Sequence, residues 1–81
     1  MTTKVEFYSL LRDLAGTAEI EVPLPDGATI EMLLAELFKR YPGLAEWGGR
    51  LLLAANLDYV ESTHVIAPGE VISVMPPVQG G

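Results

Sequence analysis

Alternating apolar and polar positions predict two strands near the start of the chain. The alternation runs through residues 5–10 and again through residues 18–24, and a period of two is typical of half-buried strands. A short apolar segment at residues 11–15, a turn or one helical turn closed by Gly16, separates them, so we expect two strands joined as a hairpin. Pro23 cannot donate a hydrogen bond to a ladder, which predicts that the second strand lies at a sheet edge.

A helical pattern follows the turn at residues 25–27. Thr29 is a candidate N-cap, and Lys39 and Arg40 stand where the last turn of a helix favours positive charge. Pro42-Gly43 predicts the end of the helix. The apolar positions recur at the spacing of one amphipathic stripe: Ile30, Leu33, Leu34, Leu37, Phe38 and Tyr41.

The second half of the chain predicts short strands. Residues 44–49 form a connector that carries Trp47, and residues 51–55 suit a central strand. A turn at residues 56–58 leads to a short strand at Tyr59 and Val60, and residues 71–75 predict a final strand that Pro76-Pro77 ends. The order β-β-α-β-β-β indicates an α+β fold and resembles the ubiquitin-like β-grasp, a mixed curved sheet packed on one main helix. We expect the first strand to lie parallel to the last, in a domain of residues 1–75 followed by a flexible tail, residues 76–81.

Composition narrows the possible functions. The 81 residues include eleven acids and five bases, a net charge of −6 that disfavours nucleic acid and indicates either basic protein partners or none. One His and no Cys exclude a zinc–thiolate site, a disulfide framework and a thiol nucleophile. No apolar run approaches the roughly 20 residues of a membrane span, and no signal-peptide pattern begins the chain. We therefore expect a single cytoplasmic domain that binds no metal and no stable cofactor.

Catalytic candidates within the chain are weak. The residue types of Asp58, Ser62 and His64 match those of a catalytic triad, yet no strained nucleophile turn flanks the serine. His64 is expected to serve a surface or loop-capping role. Glu19 and Glu21 share one face of a strand and are expected to be solvated.

The C-terminal segment is distinctive. Pro76 and Pro77 lack amide protons and favour extended backbone, so they direct the chain away from the sheet. Six residues at ~3.3 Å each reach roughly 20 Å, far enough to enter a neighbouring active site. Gly80 and Gly81 have no Cβ, which suits passage through a narrow channel and presentation of the Gly81 carboxylate. An ordinary frayed terminus is the alternative for this segment.

Motifs along nearly the whole chain resemble the MoaD family, the ubiquitin-like sulfur carriers of the MoaD/ThiS type that form the small subunit of molybdopterin synthase. The motifs are VEFY at residues 5–8, LRDLAG at 11–16, LLAAN at 52–56, GEV at 69–71 and PPVQGG at 76–81. The LRDLAG and PPVQGG segments are the discriminating ones. One departure is Met75, which stands where an aromatic residue is common.

The resemblance implies a function for the tail. An E1-like adenylyltransferase would consume ATP to adenylate Gly81, and a sulfurtransferase would supply the sulfur that converts it to a thiocarboxylate. The tail would then donate this sulfur inside the large subunit of a heterotetrameric molybdopterin synthase, to cyclic pyranopterin monophosphate, in molybdenum cofactor biosynthesis. Gly81 would carry the acyl group and Gly80 would allow passage, while the partners supply the catalytic groups.

Strand alternation also predicts a docking patch. If Val5 and Phe7 face inward, Tyr8 faces outward, and the same rule turns Ser73 and Met75 outward. Exposed aromatic and Met side chains that lie together commonly mark interfaces, although scattered surface residues are the alternative. The predicted partner-binding residues are Tyr8, Tyr59, Met75, Pro76, Pro77, Val78 and Gln79.

Three other functions stay open at the level of sequence. The chain could carry sulfur in another pathway, such as thiamine synthesis or tRNA thiolation. It could be a ubiquitin-like modifier joined through Gly81 to lysines. It could also be a structural binding module that does not use its Gly-Gly end.

Overall fold

The computed structural model describes residues 1–77, and its regular elements follow the predicted order with additions. The strands and helices are β1 (Thr2–Phe7), α1 (Leu10–Ala15), β2 (Glu19–Pro23), α2 (Ile30–Arg40), α3 (Pro42–Ala45), β3 (Leu52–Ala55), β4 (Asp58–Val60) and β5 (Val71–Met75). A 3₁₀ turn at Gly48–Arg50 precedes β3. Within the described residues, no helix has the length and apolar character needed to cross a membrane.

The strands form one mixed sheet in the order β2-β1-β5-β3-β4. β1 and β5 pair in parallel, with Val5 opposite Ile72, and the other neighbours are antiparallel. The predicted parallel pairing of the first and last strands is therefore confirmed. The edge position of the strand that carries Pro23 is also confirmed, because β2 has a single neighbour.

The core lies between one face of this sheet and α2. Val5 and Phe7 of β1 and Ile72 and Val74 of β5 are at most 1% exposed. They pack in one cluster with the buried residues of α2, which are Ile30, Leu33 and Leu37. A side chain of this size contributes about 1.5–3 kcal/mol when fully buried. The α+β class with one main helix is thus confirmed, and among residues 1–77 no helix packs on the opposite face of the sheet.

The N-terminus of α2 is held by its cap and by a loop. Met32 N–H donates to Thr29 Oγ1 at 3.4 Å, as the N-cap prediction requires. Ile30 N–H donates to the His64 carbonyl and Glu31 N–H to the Ser62 carbonyl, both at 3.0 Å. The first helical amides are thereby satisfied by residues 62–64, which anchors this loop against the helix.

Two local expectations were wrong. The predicted connector at residues 44–49 is partly helical, because Pro42 begins α3 in a position that needs no amide donor, and Leu44 is fully buried. The strand predicted over residues 5–10 instead ends at Phe7, since Ser9 adopts φ 58° and turns the chain into α1. Sequence periodicity missed both features because a turn and a short helix lack a full repeat.

Candidate functional site

The helix-free face of the sheet carries a groove. Strand register places Glu6, Ser73, Ala54 and Tyr59 in one row across β1, β5, β3 and β4. These side chains line a groove of about 530 Å³ together with Tyr8, Asn56, Leu57, Val71 and Met75. We call this surface the outer groove.

The outer groove brings together three of the seven predicted partner-binding residues. Tyr8, Tyr59 and Met75 all line it, with Tyr59 71% exposed, Tyr8 40% exposed and Met75 half-buried. Adjacent exposed side chains of this kind suit a protein interface. Their contact with a partner stays a prediction, but their common location is a feature of the fold.

Leu57 belongs to the same surface and was missed by the sequence reasoning. It lies at the tip of the β3–β4 hairpin and is 97% exposed, so its side chain extends the apolar wall formed by Tyr59. A single exposed leucine is not informative in a sequence, so only its place beside Tyr59 in the folded structure identifies it.

Asn56 fixes this hairpin to the central strand. Its backbone adopts φ 56°, a conformation that Asn tolerates better than most residues. Asn56 N–H donates to the Val71 carbonyl at 2.7 Å, and Val71 N–H donates to Asn56 Oδ1 at 3.1 Å. The last residue of the LLAAN motif therefore sets the position of Leu57 and Tyr59 relative to β5.

The strand beneath the outer groove leads into the tail. Met75 ends β5, and Pro76 and Pro77 follow as half-buried residues. The remaining predicted tail residues, Val78, Gln79, Gly80 and Gly81, lie outside the described residues. The tail thus begins at the rim of the outer groove, so one partner could contact both.

Charge is unevenly distributed on this face. Lys4 Nζ lies 2.9 Å from Glu19 Oε2, and the hydrogen bond and charge of Glu19 raise the pKa of Lys4 above its ordinary value. Glu6 accepts a hydrogen bond from the Tyr8 hydroxyl at 3.1 Å. Among residues 1–77, Glu6 forms no ion pair, and its more distant charge adds to the raised pKa of Lys4.

The weak catalytic candidates do not form a triad. His64 Nε2 donates to Glu70 Oε1 at 2.9 Å, while Asp58 belongs to β4 opposite Ala55. The loop role expected for His64 is confirmed, because its ring bonds to Glu70 and its carbonyl accepts a hydrogen bond from Ile30 N–H. Within the described part of the chain, His, Asp and Glu side chains form no group of three or more able to hold a metal ion.

Lowering the pH is expected to destabilise the fold through Glu70. The Ala67 N–H and then His64 hold the pKa of the Glu70 carboxyl below its ordinary value of 4.5. A carboxyl group whose pKa is lower in the folded state than in the unfolded state stabilises the fold fully at pH values above its unfolded-state pKa. This stabilisation is lost as the pH falls through the folded-state pKa. Urea unfolding from pH 7 to pH 3 should show Glu70→Gln about 1 kcal/mol less stable than wild type at pH 7, with the gap closing below pH ~4.5.

A matched control for this experiment is Glu61→Gln. Glu61 is an exposed acid of the same loop, and its carboxylate makes no hydrogen bond to residues 1–77. At pH 7 the free energy of unfolding of this variant should differ little from that of wild type. A Glu70→Gln curve that runs parallel to wild type over the whole range would contradict the assignment.

Comparison with known proteins identifies related sequences. The model of the ThiS family matches residues 5–81. The molybdopterin synthase sulfur carrier subunit of Chlamydomonas reinhardtii is 31% identical over 83 aligned positions, which cover 100% of both chains.

Solved structures share the fold of this chain. A putative molybdopterin converting factor, subunit 1, from Pyrococcus furiosus matches with a TM-score of 0.86 and 31% identity, covering 96% of this chain and 99% of that one. A chain from a complex of subunits 1 and 2 of molybdopterin-converting factor from Helicobacter pylori matches with a TM-score of 0.71 and 26% identity over 100% of both chains. The β-grasp fold predicted from the order of elements is thereby confirmed.

Proposed function

The chain belongs to the ThiS family, and on that premise we propose that it is the sulfur-carrier subunit of a molybdopterin synthase. One observation carries the proposal: the family match extends through residues 76–81, the segment that ends in Gly80-Gly81. The similarity to the molybdopterin synthase sulfur carrier subunit of Chlamydomonas reinhardtii covers both chains in full. It supports the assignment to molybdopterin synthesis rather than to a related pathway.

The reaction begins at the carboxylate of Gly81. An E1-like partner transfers AMP from ATP to this carboxylate and releases pyrophosphate, which makes the acyl carbon electrophilic. A sulfur nucleophile then adds to the acyl carbon, and AMP leaves, so that one oxygen of the carboxylate is replaced by sulfur. Because the chain contains no Cys, the sulfur cannot be held as a persulfide on the carrier itself.

The large synthase subunit is the proposed binding partner of the carrier once Gly81 bears the thiocarboxylate. The Helicobacter pylori complex pairs subunits 1 and 2 of molybdopterin-converting factor, and this supports an equivalent partner here. We propose that the partner covers the outer groove while residues 76–81 enter its active site, where cyclic pyranopterin monophosphate receives the sulfur. Two such pairs would form the heterotetramer, and cytoplasmic enzymes would supply ATP-dependent activation.

The carrier contributes binding and positioning. His64 is committed to Glu70, and Glu6 is accessible at the outer groove but lies on β1 rather than on the tail. General acid and base groups are therefore assigned to the partner subunits. This division suits a small domain whose core occupies one side of the sheet and whose other side carries the outer groove.

Intact-mass spectrometry tests the proposed function directly. The full chain is incubated with the E1-like enzyme of the same organism, ATP and a sulfur donor. We expect the C-terminal peptide to gain the mass difference between sulfur and oxygen, and a sample without ATP to stay unchanged. Absence of this gain with enzymes shown to activate another carrier would contradict the proposal.

The same experiment distinguishes the other functions. Adducts that join Gly81 to lysines of other proteins would favour a protein modifier. Thiocarboxylate formation combined with rescue of a thiamine or tRNA-thiolation defect, and not of a molybdenum cofactor defect, would assign the carrier to another pathway. A chain whose biological activity survives deletion of Gly80 and Gly81 would be a structural binding module.

A further inference from the structure

We propose that the outer groove binds an arginine side chain of the partner protein, with Glu6 as its counter-ion. The inference rests on the proposed function, because the partner in question is the large synthase subunit. The partner would then present a guanidinium group to the centre of the outer groove.

Glu6 provides the negative charge. It is half-buried on β1 and lines the outer groove. Tyr8 occupies Oε1 through its hydroxyl at 3.1 Å, which leaves Oε2 to accept from a partner. Two basic residues, Lys4 and Arg12, line the neighbouring cleft with Glu6. Lys4 is paired with Glu19 at 2.9 Å, and Arg12 forms no ion pair within residues 1–77. Covering the groove with an apolar surface would bury a charge without compensation, which is costly.

Ser73 provides a second polar contact. Ser73 lies opposite Glu6 in the parallel β1–β5 ladder, and neighbouring strands of a sheet are about 4.8 Å apart. Ser73 is only 7% exposed although it lines the groove. Its hydroxyl has no hydrogen-bond partner among the described side chains and backbone groups. A donor entering the groove would meet the Ser73 hydroxyl beside the Glu6 carboxylate.

The walls favour arginine over lysine. Ala54 and Met75 supply apolar contact for an aliphatic stem, and the Tyr59 ring, 71% exposed, offers a face on which a planar cation can stack. Guanidinium has several donors in one plane and is weakly hydrated, so it can donate to Glu6 and Ser73 together while it contacts a ring. A lysine ammonium would gain less from the aromatic wall.

Overall charge agrees with this occupant. The chain carries a net charge of −6, and a cationic partner group would be attracted at long range. Glu19 and Glu21 on β2 belong to the same negative surface, but they lie outside the outer groove. They contribute to attraction without contacting the bound side chain.

Binding to the large synthase subunit of the same organism tests the inference. Titration calorimetry at about 0.15 M salt is done with wild type, Glu6→Gln and Glu21→Gln. Glu6→Gln keeps the side-chain shape and removes the charge, and we expect Kd to rise about tenfold or more, as for a close charge pair. Glu21→Gln removes the same charge outside the groove and should change Kd by about twofold or less.

A double-mutant cycle identifies the partner group. Each arginine and lysine on the contact surface of the large subunit is replaced by alanine, and the variants are titrated with wild-type carrier and with Glu6→Gln. One arginine variant should lose about tenfold in affinity for wild type and much less for Glu6→Gln. Coupling to a lysine, or to no cation, would overturn the inference.

The outcomes separate this inference from the proposed function. If wild-type carrier does not bind the large subunit, the proposed function fails and this inference fails with it. If wild type binds and receives sulfur but Glu6→Gln behaves like Glu21→Gln, only the arginine site is contradicted. Unfolding curves of both variants, expected to match wild type within about 0.5 kcal/mol, show that lost affinity does not come from lost structure.

Discussion

Deleting Gly81 is expected to reduce thiocarboxylate formation at least about 100-fold while the folded domain keeps its stability. Truncation withdraws the terminal carboxylate by one residue, about 3.3 Å. A misplacement of even ~1 Å at a reacting centre can cost about 10²-fold in rate. The buried core extends from Val5 to Val74, so the free energy of unfolding should change by less than about 0.5 kcal/mol.

Gly49→Ala is the matched control for this deletion. Gly49 lies in the 3₁₀ turn at Gly48–Arg50, and a Cβ added there would have no heavy atom within 4 Å. The variant should form thiocarboxylate at the wild-type rate. Both proteins are assayed by intact mass with the E1-like enzyme, ATP and a sulfur donor, and their stability is measured by urea unfolding. Wild-type accumulation of thiocarboxylate on the truncated chain would exclude Gly81 as the acceptor.

Phe7→Ala and Tyr8→Ala are expected to have opposite effects although the residues are adjacent. Phe7 is 1% exposed and packs edge-to-face on Tyr41, with ring centroids 5.7 Å apart. Its truncation should cost about 3–5 kcal/mol of stability, a large fraction of the total for a small domain. Tyr8 faces the outer groove, so its truncation should cost less than about 1 kcal/mol of stability but weaken binding of the large subunit about tenfold or more.

Urea unfolding and titration with the large subunit together measure this pair. Binding of Phe7→Ala is measured under conditions where unfolding curves show it to be folded, and its Kd should then lie near that of wild type. A loss of stability in Tyr8→Ala comparable to that of Phe7→Ala would contradict the assignment of the two faces. Unchanged affinity of Tyr8→Ala would show that the partner does not cover the outer groove.

Much of the fold was predictable because its longer elements repeat a pattern. The stripe from Ile30 to Leu37 predicted the helix that became α2, and alternation correctly turned Val5 and Val74 toward it. The turn at Ser9 and the short helix from Pro42 were not predictable in the same way. Each spans too few residues to show a period, and its backbone is set by contacts elsewhere in the chain.

The site was predictable only in part, for a related reason. Alternation placed Tyr8 and Met75 on the outward face, but it could not show that Ser73, also outward, would be 7% exposed. That burial arises because β5 lies between β1 and β3, and strand neighbours are set by long-range pairing. The exposure of Leu57 and the bond from Asn56 Oδ1 to Val71 likewise depend on how the hairpin meets β5.

The amino-acid sequence by itself determined the longer elements, the absence of cysteine chemistry and the PPVQGG segment, because these depend on residue types and local spacing. It also indicated the family, because the family's motifs consist of consecutive residues. Only the tertiary structure decided that Glu6, Ser73, Ala54 and Tyr59 form one row across four strands. These residues are far apart in sequence, and the register that aligns them is fixed by pairing between strands and by burial of the opposite face against α2.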